Sequence, residues 1–347
     1  MKKDNLEGKK ILLLMPSFFN YTELLINELK NRGAHVDFIE NKQLAFDFVS
    51  PKCKFRSLRK LVFTIFDLKW HYLKKRIDLT KKYDYFFCIN GFLFDKRIIE
   101  KLKGKNPNIK TILYLWDSME MFEWKNISKH FDTSFTFDPI DAKKMQIEYL
   151  ANFYPKNIDL YNDSVKNNIF FVGTQHSDRY DVIKKIDNCN YVSMINVKLL
   201  IKYKNIIHTK LVYVFLRTLN TPFSISYTKN YELVERIRKD SFLIYNSLNS
   251  ETILNLMKES RFVLDIQAPS QVGIPHQMMI ALAMGKQIIT TNEWIKNYNF
   301  YNPKQILIID RNNPILLKTF LESDFQADIN DEVKNSRIDN WVNIIFK

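Results

Sequence analysis

The feature that most constrains this chain is an alternation that starts twice. Short apolar runs rich in Ile, Leu, Phe and Val alternate with stretches in which apolar residues recur at helical spacing. The run Lys10–Met15 (KILLLM) is apolar at every position after the first. Such a run suits a strand covered on both faces, as in a parallel sheet, better than one with a wet face. Tyr21–Asn31 follows with Leu24, Leu25, Glu28 and Leu29 at helical spacing, and Gly33 stops it. The pattern continues with a strand at 35–39, a basic amphipathic helix at 58–73, a strand at 83–89 and a helix at 95–102. Strands at 111–115 and 134–137 come next, then a helix that Asp141 can cap. Alternation of this kind implies right-handed crossovers over a parallel sheet.

The polar stretch 152–168, with Pro155, reads as a linker, and the pattern then restarts. A strand at 169–172 ends at Gly173 and a helix spans 179–186; the apolar run 211–216 is ambiguous. A strand at 242–245, a helix at 251–260 and a strand at 262–266 follow. The last units are a helix at 277–284 closed by Gly285, and strands at 287–290 and 306–309. The expected fold class is α/β, with two Rossmann-like parallel-sheet domains facing across a cleft. The expected domains are 1–155 and 165–330, with a C-terminal helix in 331–347 packing back on the first. In open parallel sheets ligands sit beyond the carboxyl ends of the strands, so the residues just after each strand are the candidates for function.

Composition narrows the classes. Three cysteines, Cys53, Cys88 and Cys189, are widely spaced with no CxxC pair, which argues against a disulfide framework or a zinc site and for a reducing compartment. The charged opening and the absence of about 18 consecutive apolar residues predict neither a signal peptide nor a membrane-spanning helix, so a cytoplasmic location is expected. There is no GxxxxGK[ST], GxGxxG, HExxH or GxSxG, and no DxD triplet to hold a metal on a diphosphate. The formal net charge of +14 seeks polyanions: an anionic membrane, phosphorylated substrates or nucleic acid. Two basic, aromatic-interleaved regions carry much of it. The first runs from Lys52 to Lys82 through Arg59, Lys69 and Trp70; the second includes Lys198, Lys202, Lys204, Lys210 and Arg217. Either could lie on an anionic membrane surface or be a solvated helix face. Nucleic acid is the weaker partner, since no recognisable binding motif accompanies the charge.

The most informative stretch is 260–292, SRFVLDIQAPSQVGIPHQMMIALAMGKQIITTN. A buried strand ends near Asp265 and Gln267. A loop with Pro269, Ser270, Gln271 and Gly273 then feeds a helix that begins near His276. Gly285 closes that helix, Lys286 follows, and a new strand ends at Thr290. A loop running into a helix N-terminus is a ready anion site. His276 at such a place would be neutral and able to bond a phosphate or sugar oxygen. After the strand that ends at Gly173 and Thr174 come His176 and Arg179, and arginine forks well onto phosphate. Tyr245 ends another expected strand.

This stretch resembles the donor-binding half of GT-B glycosyltransferases, particularly those of bacterial lipopolysaccharide and capsule biosynthesis. The segments IFFVGTQHSDR (169–179) and YLWDS (114–118) resemble strand ends of the two domains of that family. The resemblance implies a nucleotide-sugar donor held on the C-terminal domain by Gly173, Thr174, His176, Arg179, Tyr245, Asp265, Gln267, Ser270, Gln271, Gly273, His276 and Lys286. It implies a glycan or glycolipid acceptor on the N-terminal domain, at the inner face of the cell membrane. No cofactor and no metal is expected, so diphosphate binding would fall to cationic side chains, N–H groups and a helix dipole. The chain departs from the family at Ile280, where many retaining members carry a glutamate that bonds the nucleotide ribose. Either another residue such as Asp265 holds the ribose, or the chemistry is of another subtype, or the site is degenerate. Asp117, just after YLW, is either the base of an inverting transfer or the cap of a following turn, with Glu120 and Asp138 as its rivals. The competing readings are a related nucleotide-sugar enzyme, a polyanion-binding protein and a non-catalytic scaffold.

Overall fold

The computed structural model describes residues 6–41, 67–119, 126–158, 166–175, 177–187, 195–200, 232, 240, 242–244, 246–326 and 328–347. Two six-stranded sheets organise it, and every strand pairing in them is parallel. The first holds β1 (Lys10–Met15), β2 (His35–Glu40), β3 (Tyr85–Ile89), β4 (Lys110–Leu115), β5 (Thr133–Thr136) and β6 (Glu148–Tyr149), in the order β2-β1-β3-β4-β5-β6. The second holds β7 (Lys166–Thr174), β8 (Ile195–Leu200), β9 (Leu243–Ile244), β10 (Ser260–Asp265), β11 (Gln287–Thr290) and β12 (Ile306–Ile308), in the order β12-β11-β10-β7-β8-β9.

The helices are α1 (Tyr21–Asn31), α2 (Leu68–Lys74), α3 (Lys96–Lys105), α4 (Pro139–Met145), α5 (Arg179–Asp187), α6 (Ser250–Lys258), α7 (His276–Ala283), α8 (Lys318–Leu321), α9 (Asp331–Asn335) and α10 (Ile338–Ile345). Central strands are apolar on both sides because both faces are covered. Leu12 and Leu14 face one core cluster with Phe86 and Cys88, while Leu13 and Met15 face another with Phe87. Gly33 and Gly285 follow α1 and α7 with φ of +82° and +72°, the left-handed conformation that glycine adopts without strain.

Several expectations need correction. The helix starting at Pro139 is capped by Asp138, whose Oδ1 accepts from the Ile140 and Asp141 N–H groups; Asp141 lies inside the first turn and its Oδ2 accepts from Met119 N–H. The stretch 152–168 is not all linker. Asn152, Phe153 and Tyr154 are buried, and the Phe153 ring packs against Tyr21, His276 and Trp341. Asn152 accepts from the Tyr114 hydroxyl and donates to Ile274 O, tying the second domain to the first. Strands β6 and β8 appear where none was expected. The run 211–216 lies outside the described residues, as does the expected helix 58–73 before Asp67.

The last helix lies on the first sheet. Trp341 is fully buried among Phe87, Tyr114 and Phe153, and its indole N–H donates to Ala151 O. Arg32 at the end of α1 pairs with Glu28 and donates to Asn343 Oδ1 and Asp339 O of α10. The chain therefore crosses between domains twice, and the crossings touch: Tyr154 N donates to Ser336 O and Ile338 N to Tyr154 O.

Candidate active site

In the second sheet the chain leaves β7 towards β8, while β10, β11 and β12 lie on the other side. The loops after β7 and β10 thus diverge and open a crevice at their carboxyl ends, the usual ligand position in such sheets. Arg179, at the start of α5, bridges these ends: Nε donates to Ile266 O at 2.6 Å and Nη1 to Thr174 O at 2.8 Å. Burial of the guanidinium brings its pKa down to about 10. Gly173 keeps the approach close, since a Cβ there would sit 3.0 Å from Arg179 Nη1 and 2.9 Å from the Phe171 ring. Asp265 at the end of β10 accepts from Thr290 Oγ1 at 2.9 Å, and its pKa is raised, chiefly by burial. Arg311 reaches in from beyond β12 and donates to Gln267 O at 2.7 Å and Thr291 Oγ1 at 3.0 Å. Gln267 is 2% exposed; its amide NH2 faces the Asp265 carboxyl, while its Oε1 has no hydrogen-bond partner among the described residues.

The loop from Ala268 to Pro275 leads into α7. Ser270 is exposed, and Gln271 Nε2 donates to Gly273 O at 3.3 Å. Gly273 meets the first domain, where its N–H donates to Asp138 Oδ2 at 3.3 Å and a Cβ would lie 2.6–3.0 Å from the Phe137 ring. His276, the first residue of α7, contacts Phe153 O through Nδ1 at 2.9 Å. A carbonyl only accepts, so Nδ1 carries the hydrogen and Nε2 is left as a bare acceptor. That Nε2 is buried with no partner among the described residues. The imidazole stacks on Tyr21 and is flanked edge-on by Trp116 at 5.4 Å and Phe153 at 4.9 Å. Burial takes its pKa down to about 4, so at neutral pH it is uncharged.

On the first domain the corresponding strand ends carry Asn90 after β3 and Asp117 after β4. Asp117 is half-buried and accepts from Asn90 Nδ2 at 2.6 Å. Its pKa is raised to about 6 by burial, with the hydrogen bonds from Asn90 and Trp116 opposing the rise. After β1 the loop exposes Phe18 and Phe19, and Phe19 sits at φ 46°. Phe18 stands 6.3 Å from Trp116, so aromatic rings run from the exposed loop through Trp116 to His276 of the other domain. Asp117 directly follows Trp116, the ring through which this run passes.

The structure brings Gly173, Thr174, Arg179, Asp265 and Gln267 to the β7/β10 crevice, and Gly273 and His276 to the domain junction. Two sequence candidates are elsewhere or otherwise engaged. Lys286 is buried at the amino end of β11, opposite the strand ends that form the crevice, and its Nζ donates to Lys258 O at the end of α6. Asp138 is engaged at the helix start: both its oxygens accept backbone N–H groups, one set in its own helix and one from Gly273. Glu120, His176 and Tyr245 lie outside the described residues. Sequence reasoning passed over Asn90, Asn41, Arg311 and Phe18. The Asn90-Gly91 pair directly after an apolar strand is a turn signal that marks Asn90. Among the described residues no group of three or more His, Cys, Asp or Glu could hold a metal, and no helix is long and apolar enough to cross a membrane.

No protein-family model and no curated protein sequence matches the chain. Solved structures do. A structure titled "lipopolysaccharide outer core galactosyltransferase WaaB apo form" superposes with a TM-score of 0.52 at 10% identity, covering 97% of this chain and 99% of that one. Sucrose-phosphate synthase from Thermosynechococcus elongatus gives a TM-score of 0.50 at 10% identity over 87% and 86% of the two chains. The chain has the GT-B fold, two Rossmann-like domains facing across a cleft.

Proposed function

We propose that this protein is a metal-independent glycosyltransferase that moves a sugar from a nucleotide-sugar donor to a glycan or glycolipid acceptor of a bacterial surface polysaccharide, on the cytoplasmic side of the membrane. The observation that carries the reading is a buried acceptor with no partner among the described residues, His276 Nε2, at a helix start beside the cleft, with Gln267 Oε1 as a second at a strand end. Buried polar groups are nearly always hydrogen-bonded, and exceptions concentrate where a ligand completes them. The donor diphosphate would lie along the exposed Pro269–Ser270 turn, near Arg179 and the positive end of the α7 dipole.

On the first domain, Asp117 supplies the base. In an inverting transfer the acceptor hydroxyl gives its proton to the carboxylate as its oxygen attacks the anomeric carbon, and the nucleoside diphosphate leaves. A base with a pKa of about 6 is mostly ionised at neutral pH yet basic enough to take a hydroxyl proton in the transition state. Neutral His276 can accept a second hydroxyl hydrogen but carries no charge to compete with Asp117. Ile280 lies in the α7 core and offers no carboxylate to a ribose, which favours inverting over glutamate-assisted retaining chemistry.

A thermal-shift panel with UDP, GDP, CMP and dTDP tests the proposal. A ligand at 100 times its Kd should stabilise the fold by about 2.7 kcal/mol. A flat response to all four at millimolar concentration would overturn the donor assignment.

A further inference from the structure

The ends of β2, β3 and β4 are joined by two asparagines in series. Asn41, which follows β2 and is fully buried, donates from Nδ2 to Ile89 O at 2.9 Å and to Asn90 O at 3.0 Å, and its Oδ1 accepts from Leu93 N–H at 2.8 Å. These bonds fix the backbone of Asn90, which is also fully buried and held at φ 56°. The Cys88 thiol donates to the same Asn90 carbonyl, and the Asn90 N–H donates to Tyr114 O. From this left-handed turn the Asn90 side chain crosses to the end of β4. Its Oδ1 accepts from Trp116 N–H at 3.1 Å and its Nδ2 donates to Asp117 Oδ2 at 2.6 Å.

The amide has one orientation here. Turned over, it would set an oxygen against the Asp117 carboxylate and an NH2 against the Trp116 N–H, losing both bonds. A turn with φ near 56° alone would be met by glycine, which takes that conformation without strain. Asparagine also takes this conformation, and here its amide is at the same time directed at the Trp116 N–H and the Asp117 carboxyl.

We infer that Asn90 is a positioning residue for Asp117, fixing the orientation of the carboxyl at the end of β4 through an amide that Asn41 holds rigid from behind. The inference rests on the reading of Asp117 as the base. The bond also favours the ionised carboxyl, against the burial that raises its pKa. The titratable groups facing this corner are His276, whose ring lies against Trp116, Asp141, which accepts from Met119 N–H, Cys88, and Tyr21 beneath His276. None of these four is a cation that could take over the role of Asn90.

The test follows the titration of Asp117 by infrared difference spectroscopy of the protonated carboxyl band, identified by its loss in Asp117→Asn. No substrate is needed. In Asn90→Gly, which keeps the turn and removes the amide, the titration should move up by roughly 0.5–1 pH unit. The acidic limb of the kcat/KM profile should move with it. In Asn90→Asp, nearly the same shape with a second carboxylate, the shift should exceed about one unit, which keeps the test open should the glycine variant not fold. An Asp117 titration that stays in place in both variants overturns the role of Asn90 while leaving the base reading intact. Wild-type turnover by Asp117→Asn overturns the base reading, and the assignment of Asn90 with it, whatever the titration does.

Discussion

The phenol ring of Tyr21 lies on the imidazole of His276 with centroids 4.3 Å apart and 20° between planes. Tyr21 opens α1 beneath the first sheet and His276 opens α7 beneath the second, so two helix N-termini from different domains meet through this stack. A charged imidazole here would have to be desolvated next to two helix N-termini. Burial accordingly holds it neutral, and burial also raises the Tyr21 phenol far above its ordinary value.

That arrangement sets a pH dependence. His276 titrates near 6.5 when unfolded and near 4 when folded. Between those values the unfolded chain binds a proton that the native state refuses, so stability falls as pH drops from 6.5 to 4. Above 6.5 the contribution is complete. The loss at low pH is about 3 kcal/mol at most. His276→Asn keeps a donor for Phe153 O and cannot be protonated. Its melting temperature relative to wild type should rise steadily from pH 7 to pH 4.5; a constant difference would refute the assignment.

Asp117 works in the opposite direction. Its native carboxyl keeps a proton up to about pH 6, while the unfolded chain releases it near 3.8. Stability is therefore lost as pH rises through 3.8 to 6, and the penalty persists at pH 8. Asp117→Asn should melt higher than wild type at pH 8, by about 1–2 kcal/mol after allowance for partial exposure. The same variant should lose roughly 10²–10⁴ in kcat with donor affinity nearly constant. A variant that is both more stable and dead in turnover identifies a functional carboxylate; equal stability with normal turnover identifies a surface aspartate.

Gly273 is required by proximity. A methyl group there would press on the Phe137 ring of the other domain, and overpacking of this kind costs about 1–3 kcal/mol. Gly273→Ala should lower the melting temperature, and Phe137→Leu in the same chain should restore part of it. Two penalties that simply add, with no recovery, would show that the two residues do not meet.

Lys286 gives a negative control for the donor site. Its Nζ serves a carbonyl of α6 at the far end of the sheet, and burial takes its pKa down to about 8. Lys286→Met should leave the Kd for the nucleotide found in the thermal-shift panel within about twofold. A tenfold loss, measured by calorimetry, would return Lys286 to the donor site.

Much of the fold was legible because parallel sheets write themselves as unbroken apolar runs. Lys10–Met15 and the strand that ends at Asp265 announced buried strands, and Gly33 and Gly285 marked helix ends through their backbone requirement. The site was legible only as strand ends. Lys286 looked like part of the donor loop because it follows Gly285 directly, but a strand beginning there starts at the opposite edge of the sheet from where it finishes. Asp141 looked able to cap the helix after β5, and Asp138 looked like a rival base; only backbone geometry shows that Asp138 is the cap. The Asn41, Asn90 and Asp117 series joins the ends of three strands that are far apart in sequence and are brought together only by the sheet. No local spacing encodes it. The His276 stack is likewise a product of two domains meeting.

The paired crossings at Tyr154 and Arg337 govern how the cleft can open. Had the chain passed between domains once, the second could swivel about a single thread in any direction. Here the outgoing and returning strands are stitched side by side. Any relative motion of the two domains that keeps these bonds must therefore pivot near Tyr154 and Arg337.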